Sequence, residues 1–162
     1  MVETIVDGTL EDAGNRAFQL LFDYISEKNR SHAKIAMTAP VSQKPAFEKI
    51  KMKSPISPQL VEGGWAVSFT MPVSQSIEAL PAPEAPRVKL LQVSACRMAA
   101  VRYSGVWSEK LYLKNKQELK SWIENNGFWI IGEPVWARYN PPFTPWFLRR
   151  NEILIQVDTE TN

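Results

Sequence analysis

The chain has 162 residues, of which 44% are hydrophobic and 22% are charged, and its formal net charge is +2. This length and composition predict one globular domain over residues 1–162, and the weak, scattered positive charge argues against a nucleic-acid-binding protein. A single cysteine excludes an internal disulfide. Because the chain has neither a signal peptide nor an apolar run of about 18 residues, we expect a cytoplasmic protein without a membrane span.

The first part of the chain predicts a strand, a helix and a further strand. A short apolar run indicates a strand over residues 2–6. A helix is expected from a weak N-cap signal at Thr9 to about residue 28, with apolar side chains at i, i+3, i+4 and i+7 from Phe18. Alternating apolar and small polar side chains over residues 65–70 indicate the other strand.

Between these elements, ten residues are repeated. KIAMTAPVSQ (34–43) returns in altered form as KIKMKSPISP (49–58). We expect each copy to form a strand that is ended by its proline, with apolar residues two apart on one face. The two copies are expected to pair like a hairpin, with Met37 and Met52 packed inward.

A proline-rich connector, LPAPEAP at residues 80–86, separates a first half of about residues 1–80 from a second half of about 87–157. The second half repeats the order of the first, with strands expected at residues 88–93, 98–103, 128–131, 135–139 and 153–157. Its helix is expected from the N-cap Ser108 to residue 126, before Gly127. This order predicts an α+β domain of two related halves, with both helices on an antiparallel sheet and a ligand groove between the halves.

Several motifs resemble the SOUL/haem-binding-protein family. They are MTAPV at residues 37–41, the YNPP that begins at Tyr139, and the RRNE that begins at Arg149, within a match from about residue 2 to 157. The resemblance implies a distorted antiparallel β-barrel of two pseudo-twofold-related halves with two flanking helices. It also implies that the protein binds haem or another tetrapyrrole. The architecture is similar to effector-binding domains that hold hydrophobic cations in a central groove.

One departure from the family concerns the N-terminus. Family members usually carry a longer N-terminal strand, and in some members the proposed axial histidine lies there, so that ligand has no counterpart in this chain. The shorter strand predicts an open sheet edge, through which two copies could pair as a homodimer.

The candidate site residues are those that could contact such a ligand. His32, the one histidine, is the candidate axial ligand for iron, although a solvated loop histidine is the favoured interpretation. Cationic side chains suited to haem propionates are Lys34, Arg138, Arg149 and Arg150. The alternative for Arg149 and Arg150 is surface pairing with Glu152 or Glu133. The remaining candidates for ligand contact are Met37, Tyr139 and Trp146. Trp146 lies in the segment PPFTPWF at residues 141–147, which is interpreted as a lid, a binding wall or a cover over the barrel end.

No catalytic pattern is present, so an enzyme is not expected. The chain has no CxxC, HExxH, P-loop or GxGxxG motif, and Glu133 is the carboxylate to inspect for burial in the groove. Cys96 lies in an apolar run and is expected to be a buried, inert thiol. The preferred function is a haem or tetrapyrrole carrier or buffer. The alternatives are a module that binds other hydrophobic or cationic small molecules and a protein-interaction domain without a ligand.

Overall fold

A computed structural model describes residues 1–26, 28–37, 39–46, 64–71, 77–141 and 143–159. Its strands and helices, in chain order, are β1 (Val2–Asp7), α1 (Leu10–Ile25), β2 (Val41–Ala46), β3 (Gly64–Phe69), β4 (Val88–Leu90), β5 (Met98–Tyr103), α2 (Glu109–Asn125), β6 (Phe128–Ile130), β7 (Val135–Arg138) and β8 (Asn151–Thr159). Short 3₁₀ helices occupy Ile77–Ala79 and Trp146–Leu148. These elements confirm the predicted α+β class.

The strands form one antiparallel sheet in the order β4-β1-β3-β2-β7-β8-β5, and β6 pairs with the far end of β8. The row β2-β3-β1 in the first half corresponds to β7-β8-β5 in the second, and the two rows meet at the β2–β7 pair. Each half therefore places its strands in the same order outward from the centre. Within the described residues the sheet is open: it ends at β4 and at β5, which do not pair to close the implied barrel.

Both helices begin at the predicted caps. The hydroxyl of Thr9 accepts a hydrogen bond from the Asp12 backbone N–H, and the hydroxyl of Ser108 accepts one from the Leu111 N–H, so each satisfies an orphan donor of the first turn. Gly127 follows α2 with a φ of 70°, the left-handed conformation that glycine adopts without steric cost.

The first helix ends at Ile25, a few residues before the predicted end near residue 28. The reason is the buried side chain of Asn29, whose amide donates to the carbonyls of Tyr24 and Ala33 at 2.9 and 2.7 Å. These bonds satisfy a carbonyl of the last helical turn and fold the following loop back on the helix. Asn29 thus ends the helix through its side chain rather than through a left-handed backbone.

The sheet carries two hydrophobic cores. α1 covers β1 and β3 around Leu21 and Phe69, and α2 covers β5 and β8 around Ile123 and Ile155. The half-buried Trp65 packs against both cores. In the described part of the chain, neither helix is long and apolar enough to cross a membrane.

The prediction for the repeated segment is wrong in its first copy. The strand there is β2, which begins after Pro40 instead of ending before it, because the pairing with β3 and β7 starts at Val41. Ile35 is buried, and its N–H bonds the carbonyl of Ile25, whereas Met37 is exposed; the two do not share an inward face. The second copy, including Met52, lies outside the described residues. One edge of β2 pairs with β3 and the other edge pairs with β7, and both pairings start at Val41.

One further prediction is corrected, and another is met only in part. β3 pairs with the whole length of β1, but on the other side of β1 the described residues of β4 pair only with Val2 to Thr4. β4 comes after the proline-rich connector but joins the sheet of the first half. Cys96 is exposed rather than buried, because it lies outside any strand, in the link between β4 and β5. A homodimer stays a prediction, and so does the division of the chain into halves at residues 80–86.

Candidate functional site

An apolar cavity of about 490 Å³ lies near the β2–β7 pair, where the two halves of the sheet meet. Its walls come from α1, from the chain leading into β2, from the approach to α2 and from the chain that follows β7. The lining residues are Gly14, Asn15, Phe18, Met37, Ala39, Val41, Trp107, Arg138, Tyr139, Asn140, Pro141 and Phe143. Its volume falls in the range of about 300–1,000 Å³ that is typical of small-molecule sites.

Arg138 is the one charged side chain among these lining residues. It is buried, and burial lowers the pKa of its guanidinium to about 10, with a smaller opposing effect from Tyr103. Among the described residues, no ion pair joins Arg138 to a carboxylate. Burial of a cation without an acidic partner costs free energy.

The position of Arg138 depends on α1. A Cβ added at Gly14 would overlap the guanidinium, so with any larger residue there the end of the Arg138 side chain would have to shift. The Arg138 guanidinium donates to the Gln43 side-chain carbonyl at 3.3 Å, and the Gln43 amide donates to the Leu10 carbonyl at 2.6 Å. Gln43 is fully buried and therefore connects Arg138 to the start of α1.

Two tryptophan rings also contact the Arg138 guanidinium. Its central carbon lies 5.2 Å from the ring centroids of both Trp107 and Trp136, a geometry that favours cation–π attraction. Trp107 is oriented by its indole N–H, which donates to the Asn151 side chain at 2.9 Å. The guanidinium of Arg149 lies 4.4 Å from the Trp107 centroid, so two arginines contact this one ring.

Tyr139 lines the cavity and belongs to a polar network at its edge. Its hydroxyl donates to Glu152 at 2.8 Å, and the same carboxylate accepts from Arg150 at 2.6 and 2.9 Å. Burial raises the pKa of Tyr139, and the hydrogen bond and charge of Glu152 raise it further. The phenol therefore keeps its proton at neutral pH. This is the surface pairing that the sequence offered as the alternative role of Arg150.

Of the predicted contact residues, the structure brings Met37, Arg138 and Tyr139 together on the cavity wall. Arg149 and Arg150 do not line the cavity; Arg149 contacts Trp107, and Arg150 pairs with Glu152. Trp146 is exposed, packs edge-on against Phe147 and does not line the cavity.

His32 and Lys34 lie in the loop after α1 and do not line the cavity either. His32 has a φ of 51°, and its backbone N–H donates to the Asn29 carbonyl. The backbone of Lys34 forms an isolated antiparallel β-bridge with Ser26. Both side chains are exposed. The geometry therefore offers no support for His32 as an axial ligand in this cavity.

Gly14, Gln43 and Trp107 contribute to the site but were not predicted from the sequence. A glycine inside a helical pattern was the available signal for a close approach at Gly14. Trp107 could be counted among six tryptophans but not placed, since its position depends on the long-range bond to Asn151. Gln43 carried no signal, because nothing local distinguishes a buried glutamine from an exposed one.

Glu133 is exposed, so it is not a carboxylate of the groove. No cluster of three or more His, Cys, Asp or Glu side chains that could hold a metal ion is found in the described part of the chain.

Comparisons with known proteins agree on the fold. The C-terminal domain of EcmrR superposes with a TM-score of 0.64 at 12% identity, covering 98% of this chain and 90% of that one. An uncharacterized conserved protein from Listeria innocua gives a TM-score of 0.59 at 13% identity, with 98% and 88% coverage. A hydrolase encoded by lin2189 from Listeria innocua gives 0.57 at 14% identity, with 98% and 87% coverage. At these identities the likeness shows a shared fold alone.

Sequence comparison identifies the family. No curated protein matches the chain. The family model described as SOUL heme-binding protein matches residues 1–156. Since this match covers nearly the whole chain, the protein belongs to the SOUL heme-binding protein family.

Proposed function

We propose that this protein binds haem or a related tetrapyrrole in the cavity beside α1, with Arg138 holding a carboxylate of the ligand. The observation that carries the proposal is a buried guanidinium on an otherwise uncharged wall. Membership of a heme-binding family supports the same ligand class. We infer a carrier or buffer role, in which the ligand is held reversibly.

The cavity wall combines apolar surface with one cationic side chain, and a tetrapyrrole combines a flat apolar ring with carboxylates. Phe18, Val41 and Phe143 supply apolar surface for a flat ring, and burial of that surface provides the main driving force. A propionate at the ring edge would pair with Arg138, since guanidinium matches a carboxylate bidentately. The pair would also remove the cost of the unpaired buried cation.

Iron ligation plays a small part in the proposal. Among the lining residues, Met37 and Tyr139 are of types that can ligate iron. The raised pKa of Tyr139 and its bond to Glu152 keep the phenol protonated, which disfavours it as a ligand. A Met37 thioether alone would hold iron weakly. Weak ligation suits reversible transfer, and it predicts that metal-free protoporphyrin binds nearly as well as haemin.

The wall also bears on the alternative ligand class, hydrophobic cations. A carboxylate or an electron-rich aromatic cage favours a cation. Aromatic rings do line this cavity, but no described lining residue is acidic, and the one charge on the wall is positive and repels a cation. The likeness to the EcmrR domain concerns the fold and does not alter this charge argument. An anionic apolar ligand is therefore the better match.

The test is a haemin titration followed at the Soret band, on the wild type, Arg138→Met and Arg102→Met. Arg102 is an exposed arginine on β5 and does not line the cavity, so it is the matched control. We expect saturable one-to-one binding by the wild type and the control. Arg138→Met should bind about 10- to 100-fold more weakly, because a hydrogen bond to a charged group contributes about 1.5–3 kcal/mol.

Other outcomes separate the parts of the proposal. Equal affinity of Arg138→Met and the wild type would reject the carboxylate anchor, and absence of saturable binding by the wild type would reject the tetrapyrrole itself. His32→Ala should bind like the wild type; a lost Soret shift in that variant would place His32 on the iron. Haemin dimethyl ester lacks the free carboxylates that would pair with Arg138. Its affinity for the wild type should therefore be no higher than the affinity of Arg138→Met for haemin.

A further inference from the structure

A short loop beside the cavity exposes large apolar side chains to solvent. We define the aromatic loop as residues 143–148, between β7 and β8. Its exposed side chains are Phe143 (87%), Trp146 (59%), Phe147 (58%) and Leu148 (64%). Single exposed apolar residues are ordinary on protein surfaces, but four within six positions form a patch of the kind that marks an interaction surface.

The aromatic loop is held in place by hydrogen bonds. The Arg149 guanidinium donates to the Thr144 carbonyl at 2.8 Å, the Gly105 N–H donates to the Trp146 carbonyl at 3.1 Å, and the Leu148 N–H donates to the Pro145 carbonyl at 2.9 Å. These bonds satisfy polar backbone groups within the protein. The loop can therefore enter an apolar environment without leaving these groups unpaired.

The surrounding chain is basic. Arg149 and Arg150 follow the aromatic loop directly, and residues 143–151 contain no Asp or Glu. The next residue, Glu152, is bonded to Arg150, so residues 143–152 carry a formal net charge of +1. Trp, Phe and Leu at the tip with Arg at the base is the composition of segments that lie in a membrane interface.

The aromatic loop also lies at the rim of the cavity. Phe143 lines the cavity while most of its side chain is open to solvent, and Asn140 and Pro141 continue the wall toward β7. An apolar molecule that left a bilayer beside this loop would reach the cavity wall without crossing bulk water.

We propose that the aromatic loop docks this protein on anionic lipid surfaces, with the rim of the cavity turned toward the membrane. Trp146, Phe147 and Leu148 enter the interfacial region. Arg149 and Arg150, at the base of the loop, contact lipid phosphates. The inference does not depend on the ligand of the cavity, because docking is measured on the protein without ligand.

The experiment is flotation of the full chain with vesicles of phosphatidylcholine, with and without phosphatidylserine. The test variant is Trp146→Ser with Phe147→Ser. The control is Trp129→Ser, since Trp129 is equally exposed, at 58%, and lies on β6. It pairs with Asp158 near the far end of β8, roughly 20 Å along the strand from Asn151.

We expect the wild type and Trp129→Ser to float with anionic vesicles, at least fivefold more strongly than with neutral ones at low salt. The double variant should lose about tenfold or more of this binding, because two large apolar side chains no longer enter the interface. Circular dichroism of the double variant checks that it is folded, which is expected because both replaced side chains are exposed.

Three outcomes would overturn the proposal. The first is absence of binding by the wild type to either vesicle. The second is equal loss in Trp129→Ser and the double variant, which would show general stickiness. The third is a dimer in sedimentation that only the double variant disrupts, without vesicle binding, which would assign the loop to a second copy of the chain.

Discussion

The two helices lie on one sheet, and the cavity described above is lined by residues of α1 but by none of α2. Four residues after its N-cap, α1 has Ala13, whereas α2 has Tyr112 at the same distance from Ser108. The Tyr112 ring packs 5.6 Å from the ring of Trp136 and fills the space between helix and sheet. In the first half, Gly14 follows Ala13, and the space beside it holds the Arg138 guanidinium and the cavity.

The same layout is filled by side chains in one half and leaves a cavity in the other. Both helices bury apolar faces on antiparallel strands and both start at hydroxyl caps. The size of the side chains in one helical turn decides whether the interior is filled or left open. It follows that changes in α2 should affect stability, while changes in the first turns of α1 should affect ligand binding.

The largest expected effect tests the filled half. Ile123→Ala removes a fully buried side chain from the core under α2 and should lower the free energy of unfolding by about 2–5 kcal/mol. Haemin affinity of the folded variant should stay unchanged, because Ile123 does not line the cavity. Urea denaturation measures the first effect and titration the second. Leu113→Ala, at an exposed position of the same helix, is the control and should cost less than about 0.5 kcal/mol. An affinity loss in Ile123→Ala would contradict the separation of the two halves.

The next prediction is an increase in the free energy of unfolding, and it concerns Arg138. Burial lowers the pKa of its guanidinium to about 10, below its ordinary value of 12.5. The folded state therefore bears a cost that is complete below pH 10 and fades only as the pH rises above it. Replacing the charge in Arg138→Met should raise the free energy of unfolding by about 1–3 kcal/mol without ligand, since part of the gain is offset by the lost bond to Gln43.

Thermal unfolding without ligand between pH 6 and pH 9 measures this gain, which should be constant across that range because the guanidinium stays charged there. Arg102→Met, at an exposed site, should leave stability almost unchanged. A destabilised Arg138→Met would show that the guanidinium serves the fold rather than a ligand. A gain in stability together with a loss of haemin affinity would identify Arg138 as a binding residue that the fold tolerates.

Gly14→Ala is a smaller change that targets the position of the same guanidinium. The added Cβ would overlap Arg138 and force it to move, so haemin affinity should fall by about tenfold, the equivalent of one hydrogen bond to a charged group. Stability should change little, because alanine favours the helix by about 1 kcal/mol and the displacement opposes this gain. Gln19→Ala, at an exposed site of α1, is the control for general effects on the helix. Unchanged affinity in Gly14→Ala would show that the exact position of Arg138 is unimportant.

The sequence predicted the elements better than it predicted the site. Caps, periodicity and glycine signals are local, and they located α2 and β5 within a residue or two. Met37, Arg138 and Tyr139 were among the candidates for ligand contact, and they do line the cavity.

What the sequence could not show depends on long-range contacts. The strand after Pro40 pairs with β3 and β7, and no local pattern indicates that pairing. The Arg138 guanidinium lies beside Gly14, and the two residues are more than a hundred positions apart in the chain. His32 attracted interest because it is the one histidine in the chain, but chemical type alone cannot show which side chains the fold brings to a cavity.

The smallest expected effect compares the two helix caps directly. Thr9→Ala and Ser108→Ala each remove a hydroxyl that accepts from a first-turn N–H, and each should lower the free energy of unfolding by about 1 kcal/mol. Only Thr9→Ala should also weaken haemin binding, by a few-fold, because fraying at the start of α1 loosens Gly14 and the Leu10 carbonyl that holds Gln43. Equal stability loss with unequal affinity loss would show that the start of α1 belongs to the site and the start of α2 does not. Equal effects on both quantities would mean that the cavity responds to global stability, and the contrast between the open and the filled half would then fail.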